Sequence, residues 1–425
     1  MNNQLSFQIT MFHRRGGSSM QIEIRVIFTS LVVLSLISCA ANRSAERGNQ
    51  AVQQNVEAYQ RALIARGVTG GSVAGVFRGR DTVAYSIVNS GLAGDTPISA
   101  NTIFPIWSMS KPITVVAMMI LHEKGLYELS DPVSKYIPYF SNLQCKDKTG
   151  QIYRCKNELK IVDLLSHRSG YGYYDRGKGP STLDHYENLD QFVRDVAAYP
   201  VAFEPGTDYL YGINMAILGR VVEVVSGKEF FEFLKESIFE PLDMANTKFE
   251  LYPDDRKHFQ VLFKKPKPLE EGARFDEGTS TFSTADDELS YSPGTKAQFG
   301  GEGLVSTFED YRHFCEMLTQ KGNYRGRRIL DERSLRMMTS VATEGRLMRG
   351  YNNGQDYGYS LFILTEPVLD GTASSKGIFG WSGAHNTHFW IDYEKSIYGL
   401  FMTRTVPFSW EIQKQLRSAV YRALN

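Results

Sequence analysis

The sequence predicts a mixed α/β fold of the α+β kind: an antiparallel sheet built from both chain ends, flanked by helices, with a mostly helical subdomain inserted between roughly residues 126 and 300. Three observations predict it. Alternating apolar segments lie near both ends of the chain, at residues 72–88 and 387–403. The stretch between them carries apolar residues at helical spacing, interrupted by many loops. Amphipathic segments at residues 46–67 and at Trp410–Leu424 bracket the whole. With 425 residues, 42% hydrophobic and 22% charged, the chain has enough apolar side chains for a sizeable core. Lys plus Arg and Asp plus Glu are 47 each, with no basic stripe for nucleic acid and no long acidic run.

The elements follow in order. Arg14, Arg15 and Arg25 precede or open an apolar run over residues 26–37. At 12 residues it is too short to span a bilayer of about 30 Å as a helix, and it reads as the core of a secretory signal. It ends in Leu36-Ile37-Ser38-Cys39, which looks like a bacterial lipobox. That reading makes residues 1–38 a cleaved signal, Cys39 the lipidated residue, 39–50 a polar tether and 51–425 the folded body. A plain signal peptide with a chance cysteine, or a start at Met11 or Met20, is the alternative.

Residues 46–67 place Val52, Val56, Tyr59, Leu63 and Ile64 on one helical face before Gly70 and Gly71 break the pattern. Ser72–Arg78 and Asp81–Val88 read as a hairpin turned at Gly79-Arg80. Residues 108–124 form an apolar helix stopped by Gly125, with Pro112 near its first turn, where proline is tolerated. Cys145 and Cys155 flank a turn at Thr149-Gly150, so an oxidising envelope would allow a disulfide-closed hairpin contributing on the order of 2–3 kcal/mol. Residues 213–225 and 229–238 are the clearest helices of the insertion. Residues 253–300 are rich in Lys, Pro, Asp, Glu, Gly and Ser and read as a long loop region, over a site or as a solvated linker. Helices return at 309–321 and 331–339, where Cys315 has apolar neighbours and reads as a core thiol. Strands at 387–392 and 396–403 and the helix Trp410–Leu424 close the chain.

The chemistry-bearing motif is Ser108-Met109-Ser110-Lys111. At a helix start, Ser108 and Lys111 lie one turn apart on one face. The helix N-terminus favours negative charge developing on the serine oxygen, and a buried lysine of lowered pKa can accept its proton. Ser110 is not one turn from Lys111. A lone Ser-x-x-Lys is expected about once or twice by chance in a chain this long. The eight histidines show no metal-ligand spacing, so no metal and no cofactor are expected.

The tetrad resembles the nucleophile motif of the serine β-lactamase-like, penicillin-binding group: class C β-lactamases, DD-peptidases and family VIII carboxylesterases. Further segments resemble the group's in its order. They are Asp163 to Gly170; Phe203-Glu204-Pro205-Gly206-Thr207 leading to Tyr211-Gly212-Ile213-Asn214; Gly300-Gly301-Glu302-Gly303 before a long helix; and Gly380-Trp381-Ser382-Gly383-Ala384, where the group carries its third motif on an edge strand. The resemblance implies a β-lactamase/transpeptidase-like fold. Ser108 would be the acylated nucleophile, Lys111 and Tyr211 together the base, and the N–H groups of Ser108 and Ala384 the oxyanion hole. Ile213, Trp381, Ser382, Gly383 and His385 would border the substrate; a structural role at the strand end is the alternative for His385, which with His388 follows the third motif, and His167 reads as a helix-end hydrogen-bonder.

Two departures narrow this. The group often has Asn two residues after the tyrosine, where Ile213 stands here; Asn214 is one residue late and should face elsewhere. True β-lactamases begin the third motif with Lys, where Trp381 stands here, as in family VIII esterases. Both changes favour a neutral ester or amide over an anionic β-lactam. The expected partners are therefore a small-molecule or peptidoglycan-derived acyl substrate and, through Cys39, the membrane of the cell envelope, but not nucleic acid. A β-lactamase or DD-peptidase, and a non-catalytic envelope-binding lipoprotein, are the alternatives.

Overall fold

The computed structural model describes residues 46–173, 186–264, 281–284, 291–294, 297–343 and 354–424. The chain divides into two units, Met1–Asn49 and Gln50–Asn425. Of the first, only residues 46–49 are described, as helix. The signal-like run and Cys39 lie outside the described residues. No described helix is long and apolar enough to cross a membrane.

The second unit is built on one seven-stranded antiparallel sheet. In chain order its strands are β1 (Ser72–Arg78), β2 (Asp81–Val88), β3 (Gln355–Tyr357), β4 (Phe362–Leu364), β5 (Phe379–Ser382), β6 (His388–Asp392) and β7 (Ile397–Met402). Their spatial order is β3-β4-β5-β6-β7-β1-β2. The two chain ends meet where β1 pairs with β7, from Val73↔Met402 to Phe77↔Tyr398. β1 is buried from Ser72 to Phe77, which explains its nearly unbroken apolar run: it is interior, with both faces covered.

Five helices matter for the site: α1 (residues 50–65), α2 (Ser110–Glu123), α3 (Asn214–Ser226), α4 (Phe308–Thr319) and α5 (Trp410–Leu424). Side chains alternate faces along a strand, so neighbours on β6 report which helix covers which face. Phe389 meets Tyr311 of α4, with ring centroids 5.4 Å apart. His388 meets Arg417 of α5 at 3.2 Å. Thus α4 and α5 cover opposite faces. α1 joins α5, with Tyr59 donating to the Ile412 carbonyl and Asn55 to that of Ala419. α2 is buried from Ser110 to Leu121, so it is apolar all round rather than striped.

Between residues 126 and 300 lie α3 and shorter helices at Ile161–Leu165, Leu189–Ala197 and Phe230–Leu234. The same stretch holds the expected hairpin, Gln144–Lys146 with Ile152–Arg154, closed by a Cys145–Cys155 disulfide. Cys315 is a buried free thiol on α4.

Two expectations are corrected. Residues 253–300 are not uniformly loop, because Leu262–Lys264 pairs with Thr281–Ser283 and, in parallel, with Thr405–Val406. Two- and three-residue strands are too short to show a period, and flanking Lys, Pro and Asp hide the Val261-Leu262-Phe263 run. The third motif does not lie on an edge strand either. β5 sits inside the sheet, but β4 pairs only with its Phe379 and Gly380. Beyond Gly380 that side has no strand partner among the described residues, so Trp381 and Ser382 are paired there only with β6.

Candidate active site

Ser108 is delivered by a short pairing of distant segments. Ile103–Pro105 pairs with Val305–Thr307, and the Ile106 amide donates to the Leu304 carbonyl at 3.0 Å. This draws the Gly300-Gly301-Glu302-Gly303 turn against the start of α2. Between strand and helix lies a single 3₁₀ turn, Trp107–Met109, that carries the serine. Trp107 enters it at φ +47°, in the left-handed region, where a bulky residue is strained. Its indole Nε1–H donates to His385 Nδ1 at 3.1 Å, which fastens the strained turn to the chain just after β5.

Lys111 follows one turn later and is fully buried. Its Nζ donates to Ser108 Oγ at 3.1 Å, to Tyr173 Oη at 2.8 Å and to the Gly301 carbonyl at 2.7 Å. Those three contacts use all three ammonium protons. Glu302 lies 3.7 Å away, and Tyr173 Oη donates to the same carboxylate at 3.0 Å. Burial lowers the Lys111 pKa to about 8, although Glu302 pulls it up. When the amine loses the proton aimed at Ser108, the contacts to Tyr173 and Gly301 remain and the lone pair faces the serine. Ser110 is buried and accepts from the Leu304 amide, which removes it from the chemistry.

Tyr211 completes the cluster. It precedes α3, and its hydroxyl accepts from the Trp381 indole at 3.2 Å. Burial pushes its phenol well up, outweighing the hydrogen bonds with Ser108 and Trp381 that lower it. Lys111 lies over its ring, 4.8 Å from the centroid, rather than at its oxygen. In this geometry Tyr211 is a retained O–H donor, and Lys111 is the group closer to giving up a proton near neutrality. Gly212 permits the approach, because a Cβ there would lie 2.4 Å from the backbone of Gly172. The Gly212 amide donates to His167 Nδ1 at 3.2 Å, and Asn214 Nδ2 bonds the same nitrogen at 2.7 Å. Burial, with Lys111 nearby, holds His167 well below the usual histidine range, so it acts as a neutral acceptor at the end of its helix.

The third motif reaches the nucleophile through Gly383. A Cβ there would lie 2.4 Å from the Ile106 carbonyl and 2.3 Å from Thr387 Oγ1. The turn beyond it is closed by Gly383 N–H to the Thr387 carbonyl and Asn386 N–H to the Gly383 carbonyl, neither of which uses the Ala384 amide. Ser108 and Ala384 are both partly exposed.

Three residues expected at the substrate make contacts within the protein that the sequence does not foretell. Ile213 is buried and begins α3 as part of the core. Ser382 pairs in register with His388, on the α5 face, and its Oγ bonds His388 Nδ1 at 2.8 Å. Trp381, paired with Phe389, takes the opposite face and meets Tyr211. His385 is buried and holds Trp107. Asn214 does face away, bonding His167 and Ser169.

Sequence reasoning missed Tyr173 and the place of Glu302 beside Lys111. Each left a signal: a tyrosine repeated around a glycine just after His167-Arg168-Ser169-Gly170, and a carboxylate set inside an otherwise small-residue turn.

Comparison with known proteins places the fold in a family. A family model described as Beta-lactamase matches residues 50–421. Esterase EstB of Burkholderia gladioli is 25% identical over 341 residues, covering 76% of this chain and 83% of its own. Acyltransferase CalJ of Penicillium decumbens is 25% identical over 352 residues, covering 75% and 80%. The solved structure of EstCE1, a hydrolase with promiscuous acyltransferase activity, superposes with a TM-score of 0.73 at 23% identity, covering 88% of this chain and 99% of that one.

Proposed function

The chain belongs to the beta-lactamase family, and from that premise we propose that it is an exported serine hydrolase that cleaves a neutral ester or amide through an acyl-enzyme on Ser108. The observation that carries this reading is the buried Lys111, 3.1 Å from Ser108 Oγ and with its pKa lowered to about 8. Ser108 Oγ attacks the carbonyl carbon and its proton passes to Lys111 Nζ. The oxyanion is held by the N–H groups of Ser108 and Ala384, each such donor being worth about 10²–10³ in rate. Tyr211 O–H gives its proton to the leaving group and is reprotonated from Lys111 through the Tyr173 hydroxyl, which bonds both. Water then attacks the acyl carbon, its proton passing to the neutral Lys111 Nζ, which returns it to Ser108 Oγ as the bond between serine and acyl group breaks.

The esterase preference rests on Trp381. A lysine in that place would offer a cation to a substrate carboxylate. The indole offers none and, bonded to Tyr211, forms an apolar wall. Similarity to the acyltransferase CalJ favours a second fate for the acyl-enzyme, capture by an alcohol in place of water. We further propose that the mature protein is held at the envelope by lipid on Cys39. Globomycin sensitivity or a lipid mass on Cys39 supports that anchor, and a soluble unmodified mature form overturns it.

Labelling with a fluorophosphonate and a fluorescent penicillin, with Ser108→Ala as control, tests the hydrolase. Adduct with the fluorophosphonate alone, and much faster turnover of a short-chain p-nitrophenyl ester than of a cephalosporin, is the expected result. Comparable second-order rates on the two substrates would favour a β-lactamase or DD-peptidase. No Ser108-dependent adduct with either probe would favour a binding lipoprotein.

A further inference from the structure

Lys111 has a carboxylate partner that the serine–lysine–tyrosine chemistry does not call for. Glu302 sits in the glycine turn with only 3% of its surface exposed. Its turn is fixed by its own backbone, with Glu302 N–H and Gly303 N–H both donating to the Phe299 carbonyl. One carboxylate oxygen, Oε2, receives Tyr173 O–H at 3.0 Å and lies 3.7 Å from Lys111. The other, Oε1, is buried without a partner among the described residues. A buried carboxylate left half unsatisfied is costly, and attraction to a nearby buried ammonium is what offsets that cost.

We infer that Glu302 is a positioning residue for the serine–lysine pair: its carboxylate, bridged to Lys111 by Tyr173, decides at what pH the lysine can take the serine proton. The inference rests on the hydrolase reading above and deepens it. The groups facing Lys111 can be named element by element. Ser108 faces it from the 3₁₀ turn and Tyr173 from the segment after His167. Tyr211 stacks beneath it, and Gly301 and Glu302 face it from the glycine turn. His167 senses the lysine and is held neutral. Ser108, Tyr173 and Tyr211 are hydroxyl groups, so Glu302 is the member of this set that brings negative charge to bear on the lysine. Burial and Glu302 therefore oppose each other: burial favours the amine, and the carboxylate favours the ammonium. Tyr173 transmits the second effect in one direction, accepting from Lys111 and donating to Glu302.

The sign follows. Ser108 needs the neutral amine, so its reactivity rises as Lys111 loses its proton. Removing the negative charge of Glu302 lowers the proton affinity of Lys111 and moves that rise to lower pH. The test is the second-order rate of fluorophosphonate modification of Ser108 against pH, which needs no knowledge of the natural substrate. It is measured on the full chain and on Glu302→Gln, Glu302→Asp and Tyr173→Phe. Glu302→Gln is expected to move the inflection down by at least about one pH unit. Its rate at pH 6.5 then becomes a several-fold larger share of its own plateau. Glu302→Asp keeps the inflection close to the parent's, and Tyr173→Phe moves it part of the way. An inflection that stays in place in Glu302→Gln, with the whole curve merely lowered, overturns the inference and leaves Glu302 a packing residue. If the fluorophosphonate never modifies Ser108, the hydrolase reading fails. The Lys111 resonance in ¹³C-lysine NMR, assigned with Lys111→Arg, then decides the inference alone. A titration midpoint lowered in Glu302→Gln supports it, and an unmoved midpoint overturns it.

Discussion

Lys111 and Tyr211 touch the same nucleophile, but burial acts on them in opposite senses. It destabilises the charged form of each, which for lysine means easier deprotonation and for tyrosine means harder. Lys111 therefore stands at about 8 while Tyr211 is driven upward. Two outcomes follow. The logarithm of kcat/KM on a neutral ester should rise with unit slope up to about pH 8, because the lysine must be neutral to accept the serine proton. A pH profile with no inflection between pH 7 and 9 would remove Lys111 as the base. Tyr211→Phe should lower kcat by about 10²–10⁴ while leaving fluorophosphonate modification of Ser108 largely intact. Equal loss of both would make Tyr211 the base. Ser108, Lys111 and Tyr211 were legible in the sequence because each stands in a motif whose spacing fixes its neighbours. Glu302 and Tyr173 were not given roles, since their meaning is a distance to Lys111 across 191 and 62 positions of chain.

At the scale of elements, the site is a meeting of three chain segments with little room between them. The nucleophile turn, the glycine turn and the end of β5 approach through backbone, so small residues are required where they touch. Gly383→Ala would put a methyl group 2.4 Å from the Ile106 carbonyl and 2.3 Å from Thr387 Oγ1, disturbing the turn that carries Ala384. The expected result is a fall in kcat of about 10²–10³ with far-ultraviolet circular dichroism unchanged. An active Gly383→Ala enzyme would separate this strand from the oxyanion. Most elements were legible: the β1–β2 hairpin and α5 fall where the alternation and the amphipathic pattern put them. The three-residue strands in 253–300 were not, since so short a segment pairs only because the chain near Thr405 is already in place.

For the molecule as a whole, the sheet joins both chain ends, and one buried polar chain ties the closing helix α5 to strands β3, β5 and β6. Asp370 accepts from Gln355 and Thr372 and pairs with Arg417 of α5. Arg417 in turn bonds His388 Nε2, and His388 Nδ1 bonds Ser382 behind the third motif. Both members of the ion pair are almost completely buried. Arg417→Ala would strand the Asp370 charge, an effect of about 3–5 kcal/mol. The midpoint of thermal unfolding should fall by roughly 4–6 °C. An unchanged midpoint in a melting curve would show that the pair is not needed to hold α5 on the sheet.

The sequence by itself determined the order of motifs, the periodicities of the main helices and strands and the cysteine pair, because each is a local pattern or a spacing. Only the tertiary structure decided which face each side chain takes and what it meets. It turned Ser382 toward His388 and Trp381 toward Tyr211, buried Ile213, and made His385 the clasp of a strained Trp107. It also brought Glu302 to Lys111. Those outcomes depend on register and on burial, which are properties of the assembled sheet and core and are not carried by any single segment.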